Sequence, residues 1–344
     1  MMAATNEGLR LGVIGTGHMA AEYARRWVSM PEIAFTAVAD VNAASRRRYI
    51  DICRHGGRPE PREFDDFRLM LAACRHDLDA VYVSTPHALH AEQAVGVVES
   101  GLDLLLEKPM VTTVAEAQRL ISARDQSRSV VVTAFQGALS PLVADTRKRA
   151  RAGEFGELVS AAATIWENWS ARYEGHWKQQ PALSGGGFMF DTGAHMINTV
   201  CLLADADCER ISAFTNNRDR SVEVACAVAG RLTTGTLLTL NAAGDGPPGC
   251  ASLLTFFYTR AIVRVDAWGV WREIATAGNP GIRDELEITH NPMKSFLAIR
   301  AGRMENLSTA EAGLRFARLW DAIKTSAARD GEPVAVLPGS GTPG

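Results

Sequence analysis

The sequence lacks long apolar runs, long basic runs and closely spaced cysteine pairs. No apolar stretch reaches the roughly 18–20 residues needed to span a bilayer, so we expect no membrane partner. The 344 residues carry a formal net charge of −3, and the densest basic cluster is only Arg46–Arg48. This charge balance argues against nucleic acid as a main partner.

The six cysteines are scattered and show no Cys-x-x-Cys spacing. Such a distribution fits neither a disulfide framework nor a metal site, so we expect no metal. It is typical of reduced thiols in a cytoplasmic protein. The N-terminal stretch MMAATNEGLRLGVIG has no charged region followed by a long apolar core, and no secretory signal is predicted from it.

The first part of the chain alternates between strands and helices. The apolar runs LRLGVIG, AFTAVAD, DAVYVST, LDLLLEKP and SVVVTAFQ are separated by amphipathic stretches. Continuous apolar strands of this kind predict a parallel sheet covered by helices on both faces. The length of the chain indicates two domains rather than one, and its 47% hydrophobic and 22% charged residues are typical of a soluble globular protein.

A glycine-rich turn lies between the first strand and the first helix. In GVIGTGHMA, Gly15 allows a tight turn and Gly17 lets the backbone approach a pyrophosphate at a helix N-terminus, while Ala20 permits close packing. Asp40 ends the second strand, where its carboxylate suits a free ribose 2′-hydroxyl and repels a 2′-phosphate. We therefore expect NAD as the cofactor, with NADP less favoured but open because Arg46–Arg48 follow closely. The cofactor residues predicted from this turn are Gly15, Thr16, Gly17, His18, Met19 and Asp40.

The second part of the chain changes in character. After Gly153, several strands follow one another with short turns, which is typical of an antiparallel or mixed sheet. A closing helix is predicted to begin at a Ser308 or Thr309 cap and to end at Gly331. We therefore predict an α/β domain of the Rossmann type over residues 1–134 and an α+β domain over residues 135–344, with the substrate between them.

The stretch GGGFMFDTGAHMINTVCLL places two ionisable groups in an apolar segment. Asp191 and His195 are four residues apart, so a single helix would bring them onto one face, one turn apart. Half-buried ionisable pairs are candidates for chemistry. The competing interpretation is a buried carboxylate that orients a structural histidine.

GVIGTGHMA, STPHALHAEQAVGVVESGLDLLLEKPM and GGGFMFDTGAHMI stand in an order and at separations that resemble the Gfo/Idh/MocA oxidoreductases, from about Leu9 to Val336. The resemblance implies NAD(P)-dependent redox chemistry on sugars, polyols or related molecules. It also implies a C-terminal domain with a large open sheet, mostly antiparallel, through which a homodimer or homotetramer assembles. Lys108, Asp191 and His195 match the catalytic positions of that family.

The chemistry of these residue types agrees with the resemblance. When a hydride leaves an alcohol carbon, the hydroxyl proton must leave as well, and a neutral imidazole such as that of His195 accepts it near pH 7. Asp191 would orient the ring, and the ammonium of Lys108 would polarise the oxygen. Whether Lys108 or His195 is the primary proton acceptor stays open at this point.

The resemblance implies further site residues. Those expected near the cofactor are Ser84, Thr85, Pro86, His87, His90, Glu107, Lys108, Gln136 and Trp177. Near the substrate, the resemblance places Lys108, Asp191 and His195, and the residue types themselves add Trp166 and Arg172, whose ring and guanidinium suit a sugar and its hydroxyls. Lys178 departs from the arginine that relatives carry after the tryptophan. The aromatic residues between Trp166 and Trp177 suit either a sugar ring or the core of the sheet.

Two other functions are compatible with these motifs. Some relatives cleave glycosides through a transient oxidation by bound NAD, and a few have become NAD-binding regulatory proteins without catalysis. The presence of all three polar groups, Lys108, Asp191 and His195, favours an enzyme.

Overall fold

The computed structural model describes residues 8–286 and 291–336. Residues 1–7, the start of the predicted first domain, and residues 337–344, the end of the predicted second domain, lie outside the described residues. Residues 1–7 also begin the N-terminal stretch in which no secretory signal was predicted. The strands are β1 Leu9–Ile14, β2 Ile33–Ala39, β3 Arg62–Phe64, β4 Ala80–Val83, β5 Asp103–Leu106, β6 Val131–Thr133, β7 Leu158–Glu167, β8 Cys208–Asn216, β9 Ala225–Leu232, β10 Leu237–Ala243, β11 Cys250–Tyr258, β12 Ala261–Val265, β13 Trp271–Thr276, β14 Asn279–Glu285 and β15 Val334–Ala335.

The helices alternate with the strands in the first part of the chain and cluster around the second sheet later. They are α1 His18–Trp27, α2 Ala43–His55, α3 Phe67–Cys74, α4 His90–Glu99, α5 Val114–Ser127, α6 Pro141–Arg151, α7 Trp169–Arg172, α8 Pro181–Ser184, α9 Phe188–Asp191, α10 Gly193–Ala204, α11 Pro292–Arg300 and α12 Ala310–Ala327. None of the helices in the described part of the chain is both long and apolar enough to cross a membrane.

The first sheet confirms the predicted parallel architecture. Its strand order within the described residues is β3-β2-β1-β4-β5-β6, and every pair is parallel. The strand order reverses between β1 and β4, and in such sheets ligands bind outside the carboxyl ends of the strands at that point. The edge strand β3 was not predicted, because its sequence Arg-Glu-Phe has no apolar run.

The second sheet is mixed and mostly antiparallel, as predicted. Its order is β14-β13-β12-β11-β7-β10-β9-β8-β15 across the described strands, and β7 and β10 form a parallel pair inside it. Alternate residues of β7 such as Ala161, Ala163 and Ile165 are buried under the helices α10 and α12. The opposite face carries exposed apolar side chains, including Leu237, Leu253 and Phe257.

The end of the chain returns to the first domain. Met293 and Phe296 of α11 are buried in the same core cluster as Trp27, and the Trp27 Nε1–H donates to Asn291 Oδ1 over 2.9 Å. Arg300 pairs with Asp103 at the start of β5. The predicted C-terminal range 135–344 therefore contributes a helix to the core of the N-terminal sheet. The closing helix α12 follows Thr309 as predicted and ends at Ala327, a few residues before Gly331.

Candidate active site between the two domains

The glycine turn after β1 has the shape that a dinucleotide requires. Gly15 has φ +84°, and a Cβ there would lie 2.5 Å from the Ser84 carbonyl oxygen, so only glycine fits. A Cβ on Gly17, in contrast, would meet no protein atom within 4 Å. Gly17 therefore presents bare backbone to open space at the N-terminus of α1, where an anionic group is favoured.

Asp40 is fixed at the end of β2 by backbone donors. Its carboxylate accepts hydrogen bonds from Thr16 N at 2.7 Å and from Asn42 N at 2.8 Å. The nearby Arg46 is engaged with the Asp40 carbonyl oxygen and with Glu63, and its side chain is only 12% exposed. Because this arginine is already paired, it is poorly placed to receive a 2′-phosphate, which agrees with the preference for NAD.

Lys108 reaches across from the first domain to the second. It follows β5 and precedes Pro109 in a cis peptide bond. Its ammonium donates to the carbonyl oxygen of Asp191 at 3.0 Å and to Asp191 Oδ1 at 2.8 Å. A lysine at the carboxyl end of a Rossmann strand and an aspartate of the second domain thus meet in one buried pair.

Asp191 is the centre of a cluster of donors. Besides Lys108, its Oδ2 accepts from Lys178 Nζ at 2.6 Å and from the Trp169 indole N–H at 2.9 Å, and His87 Nε2 lies 3.8 Å from Oδ1. Burial raises the pKa of the Asp191 carboxyl, but the ammonium groups of Lys108 and Lys178 outweigh it and hold this pKa well below its ordinary value. Asp191 is therefore ionised at neutral pH.

The helix expected to carry Asp191 and His195 together is divided. Asp191 ends α9, Thr192 interrupts the helix, and His195 lies in the first turn of α10. The hydrogen bonds described above tie Asp191 to two ammonium groups and an indole, whereas the sequence interpretation paired it with the imidazole of His195. The His195 ring is buried, with its centre 6.4 Å from that of Phe135 and 6.0 Å from that of Trp268.

His87 faces the same carboxylate in its neutral form. Its Nδ1 lies 2.8 Å from the Ser184 carbonyl oxygen, so Nδ1 carries the proton and Nε2 is left to accept. Burial lowers the pKa of His87 well below its ordinary value, by more than the carboxylate of Asp191 raises it. The ring also packs edge-on against Trp177, with 4.8 Å between ring centres.

His90 joins the two cofactor-side segments of the first domain. Its ring nitrogens lie 2.9 Å from the Pro109 carbonyl oxygen and 3.0 Å from the Thr85 carbonyl oxygen. The side chain of Thr85 donates to Gln93 at 2.6 Å. His90 is fully buried, so its position connects the loop after β4 to the segment that carries Lys108.

Glu107 and Gln136 lie beyond the carboxyl ends of two strands of the first sheet, β5 and β6. The Tyr82 hydroxyl donates to Glu107 at 2.8 Å, and burial raises the pKa of Glu107. Gln136 follows β6 and is a hydrogen-bond partner of the Tyr23 hydroxyl. The remaining positions predicted near the cofactor lie in the loops after β4 and after β1. The carbonyl oxygen of Ser84 packs against Gly15, and Pro86 precedes the turn His87–Leu89. His18 and Met19 are exposed at the start of α1.

Of the residues predicted near the substrate, Trp166 lies on the outer face of the second sheet and Arg172 is largely exposed. Trp166 and Glu167 are neighbours on β7 and so point to opposite faces of the sheet. Glu167 accepts from Thr192 Oγ1 on the site side, whereas Trp166 lies on the outer face against Gly246 and Gly249. The strand alternation turns the Trp166 ring to the face opposite Glu167, and a contact of Trp166 with the substrate stays a prediction. Arg172 pairs with Glu167 and is 59% exposed.

Some residues of the site were not predicted from the sequence. Lys178 was noted only as a departure from relatives, and Trp169 only as one of several aromatics, yet both hydrogen-bond Asp191. Glu223 accepts from the backbone N–H groups of Gly187 and Phe190 and so holds the turn before Asp191. No group of three or more His, Cys, Asp or Glu in the part of the chain described here could hold a metal ion.

The fold and the cleft define a two-domain protein built on a Rossmann sheet, and comparisons place it in a family. Models of the Gfo/Idh/MocA oxidoreductases match residues 9–135, described as an oxidoreductase family with an NAD-binding Rossmann fold, and residues 143–264, described as the family's C-terminal domain. The chain belongs to the Gfo/Idh/MocA family, and its N-terminal domain is an NAD-binding Rossmann domain.

Individual relatives share low sequence identity with this chain. A levoglucosan dehydrogenase of Pseudarthrobacter phenanthrenivorans is 27% identical over 56% of this chain and 50% of its own length. A D-xylose 1-dehydrogenase [NADP(+)] of Haloarcula marismortui is 27% identical over 59% of this chain and 56% of its own length. A glycosyl hydrolase family 109 protein of Saccharopolyspora erythraea is 27% identical over 51% and 40%. The chain thus spans about half the length of the curated relatives it matches.

Solved structures agree over nearly the whole chain. A levoglucosan dehydrogenase in complex with NADH and L-sorbose superposes with a TM-score of 0.84, at 21% identity, covering 96% of this chain and 99% of that one. An aldose–aldose oxidoreductase from Caulobacter crescentus complexed with glycerol gives a TM-score of 0.80 at 20% identity, covering 95% and 99%. At these identities the likeness establishes the fold.

Proposed function

We propose that the protein is an NAD-dependent dehydrogenase that moves a hydride between the nicotinamide and a secondary alcohol or ketone of a sugar, cyclitol or sugar derivative. The observation that carries this proposal is the buried pair of Lys108 and Asp191, which joins the carboxyl end of β5 to the second domain. Relatives named as levoglucosan and D-xylose dehydrogenases support the substrate class.

The residues present fit NAD. The open side of Gly17 and the anchored carboxylate of Asp40 would hold the pyrophosphate and the adenosine ribose, and the Ser84–Pro86 loop would flank the cofactor. When bound, NAD supplies the hydride acceptor. Trp177, next to His87, and Gln136, next to Tyr23, stay proposed contacts on the nicotinamide side.

The proton chemistry falls to this chain's own side chains. The Lys108 ammonium has three N–H donors, and two of them are directed at Asp191 in the described contacts. The third would polarise the substrate oxygen. We propose that Lys108 and His195 handle the hydroxyl proton together. Asp191 stays ionised because its pKa is lowered, so it fixes Lys108 and does not itself accept the proton.

A panel of sugars and polyols tests the proposed activity. Purified protein with NAD is expected to form NADH, measured at 340 nm, with at least one member of the panel. Lys108→Met and His195→Ala are each expected to lower kcat by roughly 10²-fold or more, while NAD affinity measured by tryptophan fluorescence stays unchanged. Lys148→Met, at an exposed lysine of α6, is the matched control. Full turnover in the Lys108 or the His195 variant would refute the proposed roles.

A second candidate is a glycoside hydrolase that oxidises its substrate transiently and returns the hydride. The relatives described as glycosyl hydrolase family 109 proteins favour it. It predicts release of nitrophenol from a nitrophenyl glycoside in the presence of NAD without net formation of NADH. Net NADH with a free sugar, and no nitrophenol release, would decide for the dehydrogenase.

The third possibility, an NAD-binding regulatory protein without catalysis, is disfavoured by the cost of the charge cluster. Burying Lys108, Lys178 and Asp191 costs free energy through desolvation, and a pure sensor gains nothing from them. Tight NAD binding with no turnover on the whole panel would favour the sensor.

We propose a second copy of this chain as the macromolecular partner, bound through the open face of the second sheet. The face is built from small or apolar side chains such as Ala162, Ala229, Leu237 and Phe257, whose strand positions alternate with buried ones. Leu237 is 62% exposed at the middle of the sheet, and exposed apolar patches of this kind mark contact surfaces. Cytoplasmic location stays a prediction, resting on six cysteines that are free thiols.

A further inference from the structure

The carboxylate of Asp191 pairs with two ammonium groups, although one would balance its charge. Lys108 occupies Oδ1 at 2.8 Å, and Lys178 occupies Oδ2 at 2.6 Å beside the Trp169 indole N–H. All three ionic side chains are buried or nearly so: 1% of Asp191 is exposed, 14% of Lys108 and 17% of Lys178. Two ammonium groups therefore share the one carboxylate of Asp191, and the buried carboxyl of Glu107 lies within electrostatic reach of both.

Asp191 would be paired even without the second cation. Lys108 alone would make a neutral pair with Asp191, and Trp169 already supplies Oδ2 with a donor. Taking a further ammonium out of water costs free energy that one shared carboxylate repays only in part. Arg172, a further cation of this segment, is paired with Glu167. Buried charge in excess of what packing needs is a mark of a functional site.

Lys178 is held in place from three directions. It lies in the turn Trp177–Gln179. Its Nζ is 4.4 Å from the centre of the Tyr173 ring and 6.0 Å from that of Trp177. The ion pair with Asp191 fixes the ammonium end of the side chain. Aromatic faces stabilise a cation without cancelling its charge. The arrangement therefore keeps the second ammonium charged and close to Asp191.

We propose that Lys178 is a positioning residue that clamps Asp191 from the side opposite Lys108 and adds a second positive charge beside it, so that the reacting oxygen of the substrate is stabilised as an alkoxide. The inference rests on the proposed dehydrogenase function. In the oxidation, the alcohol O–H proton would go to the neutral imidazole of His195 while Lys108 stays an ammonium, bound NAD would take the carbon hydride, and the oxygen would become a carbonyl. Lys178 exchanges no atom and acts through charge, as a preorganised oxyanion site does.

The test compares Lys178→Met with Lys178→Arg in the full chain, with Lys148→Met as the surface control. Lys178→Met keeps most of the side-chain stem and removes the charge, and we expect it to lower kcat by roughly 10²-fold with NAD affinity unchanged. Lys178→Arg retains the charge and is expected to recover most of the loss. Thermal unfolding without substrate adds a second readout, in which Lys178→Met melts at the same temperature as the parent or higher, because a surplus buried cation is gone.

The outcomes separate the inference from the function it rests on. An inactive parent on the whole sugar and polyol panel would refute the proposed function. With an active parent, a Lys178→Met protein of unchanged kcat would overturn the inference. A lower melting temperature for Lys178→Met, not restored in Lys178→Arg, would show that Lys178 serves the fold, and that result overturns the inference whether or not the parent turns over.

Discussion

Glu223 offers a sharp test of how the turn before Asp191 is held. It lies between β8 and β9, is buried, and accepts hydrogen bonds from Gly187 N at 2.6 Å and Phe190 N at 3.3 Å. These N–H groups begin α9, whose last residue is Asp191, and a carboxylate is favoured at a helix N-terminus. Burial nevertheless raises the pKa of Glu223 from 4.5 to about 7, although the backbone donors at Gly187, Phe190 and Met189 lower it.

The raised pKa of Glu223 makes the free energy of unfolding depend on pH in a defined direction. A carboxyl that titrates near 4.5 when unfolded and near 7 when folded binds more protons in the folded state between these values. The free energy of unfolding therefore falls as pH rises through this window and levels off above it. Between pH 5.5 and pH 8 the contribution of Glu223 changes by about 2 kcal/mol.

Glu223→Gln removes this titration while keeping a side chain of similar size. Urea unfolding of parent and variant, followed by tryptophan fluorescence at pH 5.5 and at pH 8, should show that the parent loses about 2 kcal/mol more than the variant. Glu209→Gln, at an exposed glutamate paired with Arg231, is the control and should follow the parent. Parallel pH dependence in parent and Glu223→Gln would refute the reasoning.

Three further predictions follow from positions described above. Gly17→Ala adds a methyl group that meets no protein atom within 4 Å, so it should leave the melting temperature unchanged but weaken NAD binding at least about tenfold; unchanged affinity would remove Gly17 from the cofactor site. Asp40→Ser should shift the ratio of kcat/KM values toward NADP by about tenfold, and a ratio equal to the parent's would contradict the ribose role of Asp40. Leu237→Lys should lower the mass measured by light scattering from oligomer to monomer, while Leu69→Lys, at a comparably exposed leucine of α3, should not; an oligomeric Leu237→Lys protein would exclude this face.

The order of the elements could be predicted because its signals are local. Apolar strands, the glycine fingerprint and the position of Asp40 depend on neighbours in the sequence, and the structure confirms both sheets. The strand β3 escaped prediction since its sequence has no apolar run. The helix α11 was also not predicted, although Met293, Phe296 and Leu297 follow helical spacing, and its place on the first sheet depends on contacts with distant residues. Local periodicity carries no information about such contacts.

The polar contacts of the site were harder to predict. The meeting of Lys178 with Asp191 depends on a short turn that brings two segments together, and a pattern of residue types does not encode that path. The orientation of Trp166 depends on which face of the second sheet the helices cover, which the sequence of one strand leaves undecided. The helix is also interrupted at Thr192, between Asp191 and His195, and the four-residue spacing alone gives no sign of that interruption.

The return of α11 to the first sheet makes the nucleotide-binding half a discontinuous unit. Met293 and Phe296 complete its core, and Asn291 receives the Trp27 indole hydrogen. A fragment cut after residue 134 would expose that apolar surface and leave a buried donor unsatisfied, so exchange of substrate-binding halves between relatives must carry residues from both ends of the chain.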